Sequence, residues 1–396
     1  MPQPASAPMR LVTAIRPYDW GSVTALPELF GTRPTGQPQA ELWMGAHPAA
    51  PSRSVTGAGE TPLDALIAAD PAGTLGDDTA ARFGPALPYL LKVLAVARPL
   101  SLQVHPTTEQ ARAGFADETA RGIAIDDPAR TYKDASHKPE MVCAVTPFHG
   151  LCGFRSPAAT AELLGRLGVP ALRPWIDALA GGAPGGALRR VFAEMLDDAS
   201  RPLRDEVERA LAASGDAELA VYAGIARACP GDRGVVAALL LNHVSLRPGE
   251  ALYLGAGVPH AYLGGVGVEI MANSDNVLRC GLTTKHVDVP ELMRVVDFTP
   301  GEPCRVPAEP GRQRGERHYR PPAPEFALGR HDLDGETVHE LRGGVPQIVV
   351  CIEGEARLGE GLTLRPGESA FVPAAAHAVR LCGKGTAYRA FPGDWR

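Results

Sequence analysis

The sequence predicts a mainly β protein: two jelly-roll barrels with an α-helical domain inserted into the first. Three observations carry this expectation. Short apolar runs are punctuated throughout by 44 Gly and 38 Pro in 396 residues, the signature of strands and turns. Residues 157–235 instead carry apolar side chains at helical period. Finally, one strand-turn-strand pattern occurs twice in the second half of the chain, and such pairs of strands build jelly-roll barrels.

The N-terminal stretch MPQPASAPMRLV has no signal-peptide core, and translation could start at Met1 or Met9. No segment reaches the ~20 apolar residues of a membrane span. PYLLKVLAV (88–96) and EMVCAV (140–145) read as buried strands. Between them, SLQVHP (101–106) puts Gln103 and His105 on one face of an extended segment and Leu102 and Val104 on the other. Taken alone, such alternation is an ordinary half-exposed strand. In the helical stretch, Leu188, Val191, Phe192, Met195 and Leu196 form an apolar stripe that Leu203, Val207 and Leu211 continue. GGAPGG (181–186) separates them from an earlier helix around Leu163, Leu167, Trp175 and Leu179. The Pro-rich, charged stretch 299–326 reads as an extended connector. The expected organisation is therefore residues 1–155 plus 236–300 as a metal-binding catalytic region, 156–235 as a helical insertion, and 301–396 as a linker with a structural barrel.

The two copies of the repeat are LRPGEALYLGAGVPHAYL from Leu246 and LRPGESAFVPAAAHAVRL from Leu364. Each has Pro-Gly-Glu, a strand, a turn and a His, as expected of two adjacent strands joined by a short turn. The pattern resembles the cupin motif, whose His faces the barrel interior and often binds a metal. No QxH precedes the second copy, so His377 reads as a packed or surface histidine.

Composition narrows the partners. A net charge of -6 with interspersed signs gives no footprint for nucleic acid. Seven cysteines without a CxxC pair read as reduced thiols, which suits the cytoplasm. The first copy's His260 can join Gln103, His105 and, from YKDASHKPEM (132–141), Glu140. Two imidazoles, a carboxylate and a carboxamide oxygen form a mixed N/O donor set that suits zinc and leaves a position open. Spacing alone does not establish the site.

LPYLLKVLAVARPLSLQVHP (87–106), HKPEM (137–141), GLCGFR (150–155) and VPHAYLGGVGVEIMANSDNVLRCGLT (258–283) resemble the signatures of the type I mannose-6-phosphate isomerases, as do YDWG (18–21) and ELWMGAHP (41–48). The resemblance implies one zinc ion per chain on Gln103, His105, Glu140 and His260. It implies Arg279 at the reacting end of the sugar, with Glu269, Asp275, His137 and Lys138 nearby, and the phosphate held by Ser101, Lys92 and Lys285. Three positions depart from the family pattern: Thr107 and Thr108 follow HP, Ser136 precedes His137, and LTTK stands where LTPK is usual.

An aldose–ketose interconversion moves a proton between C1 and C2 through a cis-enediol(ate). It needs a base, a proton shuttle between the oxygens, and a cation for the developing oxyanion. Glu269, a carboxylate in the apolar segment VGVEIM, is the expected base, because burial raises a carboxyl pKa toward the working pH; His137 and Lys138 are rivals for that role. A strand-end carboxylate paired with Arg279 is the plainer reading of that residue. The implied activity links mannose 6-phosphate and fructose 6-phosphate and feeds GDP-mannose and related sugar nucleotides; the enzyme is expected to be a monomer with no required protein partner. Two rivals are an isomerase for another sugar phosphate and a metal-bearing sugar-phosphate sensor without turnover.

Overall fold

The computed structural model describes residues 6–56 and 59–393. Among them are two antiparallel sheets of eleven strands each and a block of helices between residues 157 and 238. The main path of the first sheet runs Arg305–Val306, Ala251–Leu254, Glu140–Ala144, His260–Ala272, Tyr89–Val96, Glu41–Met44 and Ala14–Arg16. The 13-residue strand His260–Ala272 organises it. Its first residues pair with Leu102–Val104 and Phe148–Phe154, and its later ones lie between Glu140–Ala144 and Tyr89–Val96. All eight residues of Tyr89–Val96 are buried, which accounts for an almost continuous apolar run interrupted by a single Lys.

The repeat is topological, and its pairing differs from the sequence expectation. Ala251–Leu254 and His260–Ala272 do not hydrogen-bond to each other; both pair with Glu140–Ala144, one on either side. The second copy repeats this arrangement, with Ser369–Val372 and Ala378–Phe391 flanking Gln347–Leu358. The intervening strand comes from elsewhere in the chain, so a local repeat could not reveal it. The turn entering each copy is identical. Pro-Gly supplies a left-handed residue, Gly249 at φ 85° and Gly367 at φ 83°, as a type II turn requires. The next Glu then accepts the backbone N–H of Arg247 or Arg365 at 2.8 Å in each case. Gly249→Ala, which forces a Cβ into that conformation, is expected to lower unfolding free energy by about 1–2 kcal/mol in urea titration.

Sheet pairing also cuts across the expected boundary at residue 300. Met9–Val12 pairs with the strand Ser369–Val372, and Arg53–Thr56 and Gly59–Pro62 follow it into the second sheet. In the opposite sense, Arg305–Val306 joins the first sheet beside Ala251–Leu252. The stretch read as an extended connector thus contributes edge strands to both sheets. The physical reason is one shared core: Met9, Leu11, Leu42, Leu91 and Val268 pack in the same cluster as Ile348, Phe371 and Tyr388.

The helical insertion follows its predicted stripe. Leu188, Val191, Phe192, Met195 and Leu196 of Pro184–Leu196, with Val207 and Leu211 of Arg201–Ala213, are buried against Leu102, Val104, Leu151 and Phe154. The helices therefore pack beneath the Leu102–Val104 strand and leave Gln103 facing the other way. The earlier helix is in fact two, Pro157–Arg166 and Arg173–Gly181, broken at Gly168 (φ 66°) and Pro170. Helices outside this block were not foreseen. Thr108–Ala120 buries only Ala111 and Glu118, so it shows no apolar period, but Thr107 and Gln110 form a capping box at its start. Thr107, a departure from the family pattern, is thus a helix cap. No helix among the described residues is long and apolar enough to cross a membrane.

Candidate metal centre and its cavity

Strand register brings distant residues together. His260 lies opposite Gln103, which in turn lies opposite Arg279; Met271 pairs with Glu140, and Glu269 with Lys92. His105 Nε2 stands 3.4 Å from Glu140 Oε1, and His260 Nε2 is 3.4 Å from Glu140 Oε2. These three residues are at most 3% exposed, and their candidate ligand atoms lie within 4.8 Å of one another. Each ring is held from behind. His105 Nδ1–H donates to the Asn276 carbonyl at 2.7 Å, and His260 Nδ1–H to that of Val258 at 2.9 Å, so both Nε2 lone pairs point at the shared centre.

His105 Nε2 and Glu140 Oε2 are buried with no hydrogen-bond partner, which is costly unless a cation sits between them. The donor set, two imidazoles and a carboxylate, fits a borderline divalent ion. Burial pushes His105 down to about 4 despite Glu140, so the ring is neutral and able to ligate. Burial would raise Glu140, but the Lys138 ammonium 3.4 Å from its Oε1 holds the carboxyl below the usual range. The Gln103 carboxamide lies 3.4 Å from His260 Nε2 through its nitrogen, while its oxygen accepts from Ser101 Oγ at 3.3 Å. Rotation about its last torsion presents the oxygen instead.

Glu140 of this cluster lines, together with Gln103, a cavity of about 630 Å³, with His105 and His260 buried behind them. Beside it, Lys92 Nζ is 3.1 Å from Glu269 Oε2 and 3.5 Å from Glu41 Oε2, and it lies over the Trp43 ring. Tyr262 O–H donates to the other oxygen of Glu269 at 2.9 Å. Burial raises the Glu269 pKa against the pull of Lys92. Burial would lower Lys92, but Glu41, Glu269 and Glu140 outweigh it and keep the ammonium charged. Lys138 Nζ is 3.4 Å from Glu140 Oε1, and Asp275 accepts from His47 Nε2 at 3.3 Å. Four carboxylates, Glu41, Glu140, Glu269 and Asp275, thus face two ammonium groups, Lys92 and Lys138. That surplus negative charge is what a divalent cation would neutralise.

Arg279, Lys285, Thr284 and Ser101 line the same cavity. Among the described residues no carboxylate comes within ion-pair distance of Arg279 or Lys285. Burial lowers both pKa values, and Arg279 lowers that of Lys285 further. Two cations that repel each other in a cavity wall suit a dianionic ligand.

Two expected positions differ. His137 is absent from the cavity lining; its Nε2 is 2.7 Å from Glu325 Oε1, because the side chain turns toward the segment entering the second sheet. Lys92, expected beside the phosphate, is committed to two carboxylates, so an incoming dianion would meet Glu41 and Glu269 there. Sequence reading missed Glu41, Trp43, His47, Tyr262 and Asp232, all in the cavity wall. Glu41 and Trp43 alternate on one strand face, and Trp43 Nε1–H donates to Glu41 at 2.5 Å. Period-two spacing was the available signal, but only burial separates it from a solvated strand.

Comparison with known proteins bears on these features. Residues 9–157 match the family Phosphomannose isomerase type I, catalytic domain, and residues 317–392 match Mannose-6-phosphate isomerase, cupin domain. The chain is 41% identical over 392 residues to mannose-6-phosphate isomerase of Escherichia coli (strain K12), covering 96% of this chain and 99% of that one. Its identity to the Rattus norvegicus protein of the same name is 31%, covering 91% and 93% of the two chains. A mutant of phosphomannose isomerase from Salmonella typhimurium superposes with a TM-score of 0.92 at 38% identity, covering 98% of this chain and 100% of that one. A zinc-bound mannose 6-phosphate isomerase superposes at 0.90, also at 38% identity, over 98% and 99%. With relatives this similar over nearly its whole length, and with the metal-ready cluster in its first sheet, the chain belongs to the type I phosphomannose isomerases.

Proposed function

We propose that this chain is a zinc-dependent aldose–ketose isomerase interconverting mannose 6-phosphate and fructose 6-phosphate through a cis-enediol(ate). One observation carries the proposal: a cavity whose wall holds Glu140 of the metal-ready cluster, further carboxylates, and the cations Arg279 and Lys285, which have no carboxylate partner among the described residues. A sugar phosphate has the complementary layout, with a hydroxylated carbonyl end and a dianion.

His105, Glu140, His260 and Gln103 would hold the zinc ion, with Lys138 steadying Glu140. Bound zinc supplies Lewis acidity toward the sugar oxygens. Glu269 transfers the proton between C1 and C2, its basicity raised by burial and its carboxylate fixed by Lys92 and Tyr262. Each of its oxygens retains a lone pair after accepting one hydrogen bond. Arg279, close to the metal wall through its register with Gln103, stabilises the developing oxyanion. The His47–Asp275 pair orients a sugar hydroxyl, while Ser101 and Lys285 grip the phosphate. Lys92 belongs to the reacting end in this scheme. Both sheets close as jelly-roll barrels, the second serving a structural role in keeping with its exposed His377. The enzyme works in the cytoplasm as a monomer and supplies mannose-derived sugar nucleotides such as GDP-mannose.

The direct test is conversion of mannose 6-phosphate to fructose 6-phosphate by purified protein before chelation, after chelation and after zinc is restored. Turnover is expected to fall to background without metal and to return with zinc. Full zinc occupancy without turnover would refute the mannose 6-phosphate reading and favour an isomerase for another sugar phosphate or a sensor without turnover.

A further inference from the structure

We infer that Asp232, supplied by the helical insertion, is the positioning residue that sets the phosphate-gripping segment 282–285; the inference rests on the proposed role of Lys285. Asp232 caps the helix Arg233–Ala238, its Oδ1 accepting from Gly234 N at 2.6 Å. A cap needs one such bond, yet this carboxylate makes two more to a remote segment. Oδ1 also accepts from Leu282 N at 2.6 Å, and Oδ2 from Thr283 N at 3.2 Å. Lys285 N then donates to Thr283 Oγ1 at 3.1 Å, extending the chain of contacts to the cation.

Two further features show that the surroundings impose this loop's shape. Leu282, at φ 55°, is the single non-glycine residue with positive φ among the described residues, a conformation that a leucine keeps only where its neighbours enforce it. A Cβ on Gly281 would come within 2.5 Å of Gly234 Cα, and one on Gly234 within 2.6 Å of Leu282 N. The helix start and the loop therefore meet backbone to backbone, and Asp232 binds across that seam. Asp232, Leu282, Thr283, Thr284 and Lys285 all line the cavity, so a shift of this seam moves the ammonium that faces the substrate. The helical insertion then has a task beyond covering the strand Leu102–Val104: it holds the anion-binding wall in place.

The test is Asp232→Ser in the full chain, because serine retains a capping oxygen but loses the negative charge and the second oxygen that bonds Thr283. The expected result is a rise in KM for mannose 6-phosphate of roughly tenfold or more, as loss of charge-assisted hydrogen bonds implies. Competitive inhibition by inorganic phosphate should weaken by a similar factor, with zinc content and kcat retained. Asp232→Asn, which keeps one acceptor oxygen but sets an amide N–H₂ against Thr283 N, should show a smaller change of the same kind and serves if the serine variant does not fold. An altered Tm with unchanged KM and unchanged phosphate inhibition would overturn the inference and leave Asp232 a helix cap. Lys285→Ala separates the two levels. If it weakens phosphate inhibition while Asp232→Ser does not, the positioning role fails and the phosphate assignment stands; if it has no effect, both fail.

Discussion

Glu140→Gln is expected to abolish zinc retention after dialysis and to reduce mannose 6-phosphate turnover by about 10³-fold or more, the several kcal/mol a Lewis-acidic ion contributes. Glu140 is the one carboxylate that meets both imidazoles, one oxygen toward each. Its amide analogue keeps the shape but loses the charge, and it turns an N–H₂ donor toward one of the two nitrogen ligands. Metal analysis and kinetics on the same preparation check this; a variant that keeps stoichiometric zinc and normal turnover would show that the ion, if any, sits elsewhere. The pH dependence follows from the low Glu140 pKa. A carboxyl depressed in the folded state contributes stability above its unfolded pKa and loses it as pH falls through the folded value. Ligands must also be deprotonated to bind metal, so acidification is expected to release zinc together with stability.

Glu269→Gln is expected to lower kcat by about 10²–10⁴-fold, the range for loss of a general base, while zinc content and phosphate inhibition persist. Lys92 keeps a carboxylate partner in Glu41 at 3.5 Å, so the variant should fold. The sign of the pH effect is opposite to that of Glu140. Burial raises the Glu269 pKa, so its proton is held more tightly in the folded state; the stability this adds is present at low pH and lost as pH rises through the folded value. The base must be ionised to act, hence kcat/KM of the parent enzyme should rise with pH through that elevated pKa. The residual activity of Glu269→Gln should lose this limb. A variant that retains the limb and most of kcat would move the proton transfer to another group, with Lys138 the rival base that lines the cavity.

Much of the metal wall was legible in the chain because strand periodicity is a local property. Gln103 and His105 had to share a face once Leu102 and Val104 were buried, and the helical stripe from Leu188 to Leu196 had to bury one side. His260 stood out because its surroundings recur at residue 377. The seam at Asp232 was invisible for the opposite reason: it joins residues about fifty apart in sequence through backbone amides, which carry no residue-type signal. His137 and Lys92 were misplaced because a charge's partner depends on which strands become neighbours. Glu325 approaches His137 from the other sheet's side of the chain, and Glu41 meets Lys92 across a strand pair.

The sequence by itself determined the β-rich, twice-repeated plan with its helical insertion, and the donor types that gather around one centre, since alternation, period and turn chemistry act over a few residues. Only the tertiary structure decided which edge Met9–Val12 would join, which strand separates the two halves of each repeat, and which carboxylates would surround Lys92. Those outcomes follow from burying one shared core and from balancing charge inside a cavity, and both depend on groups that the chain brings together only when it has folded.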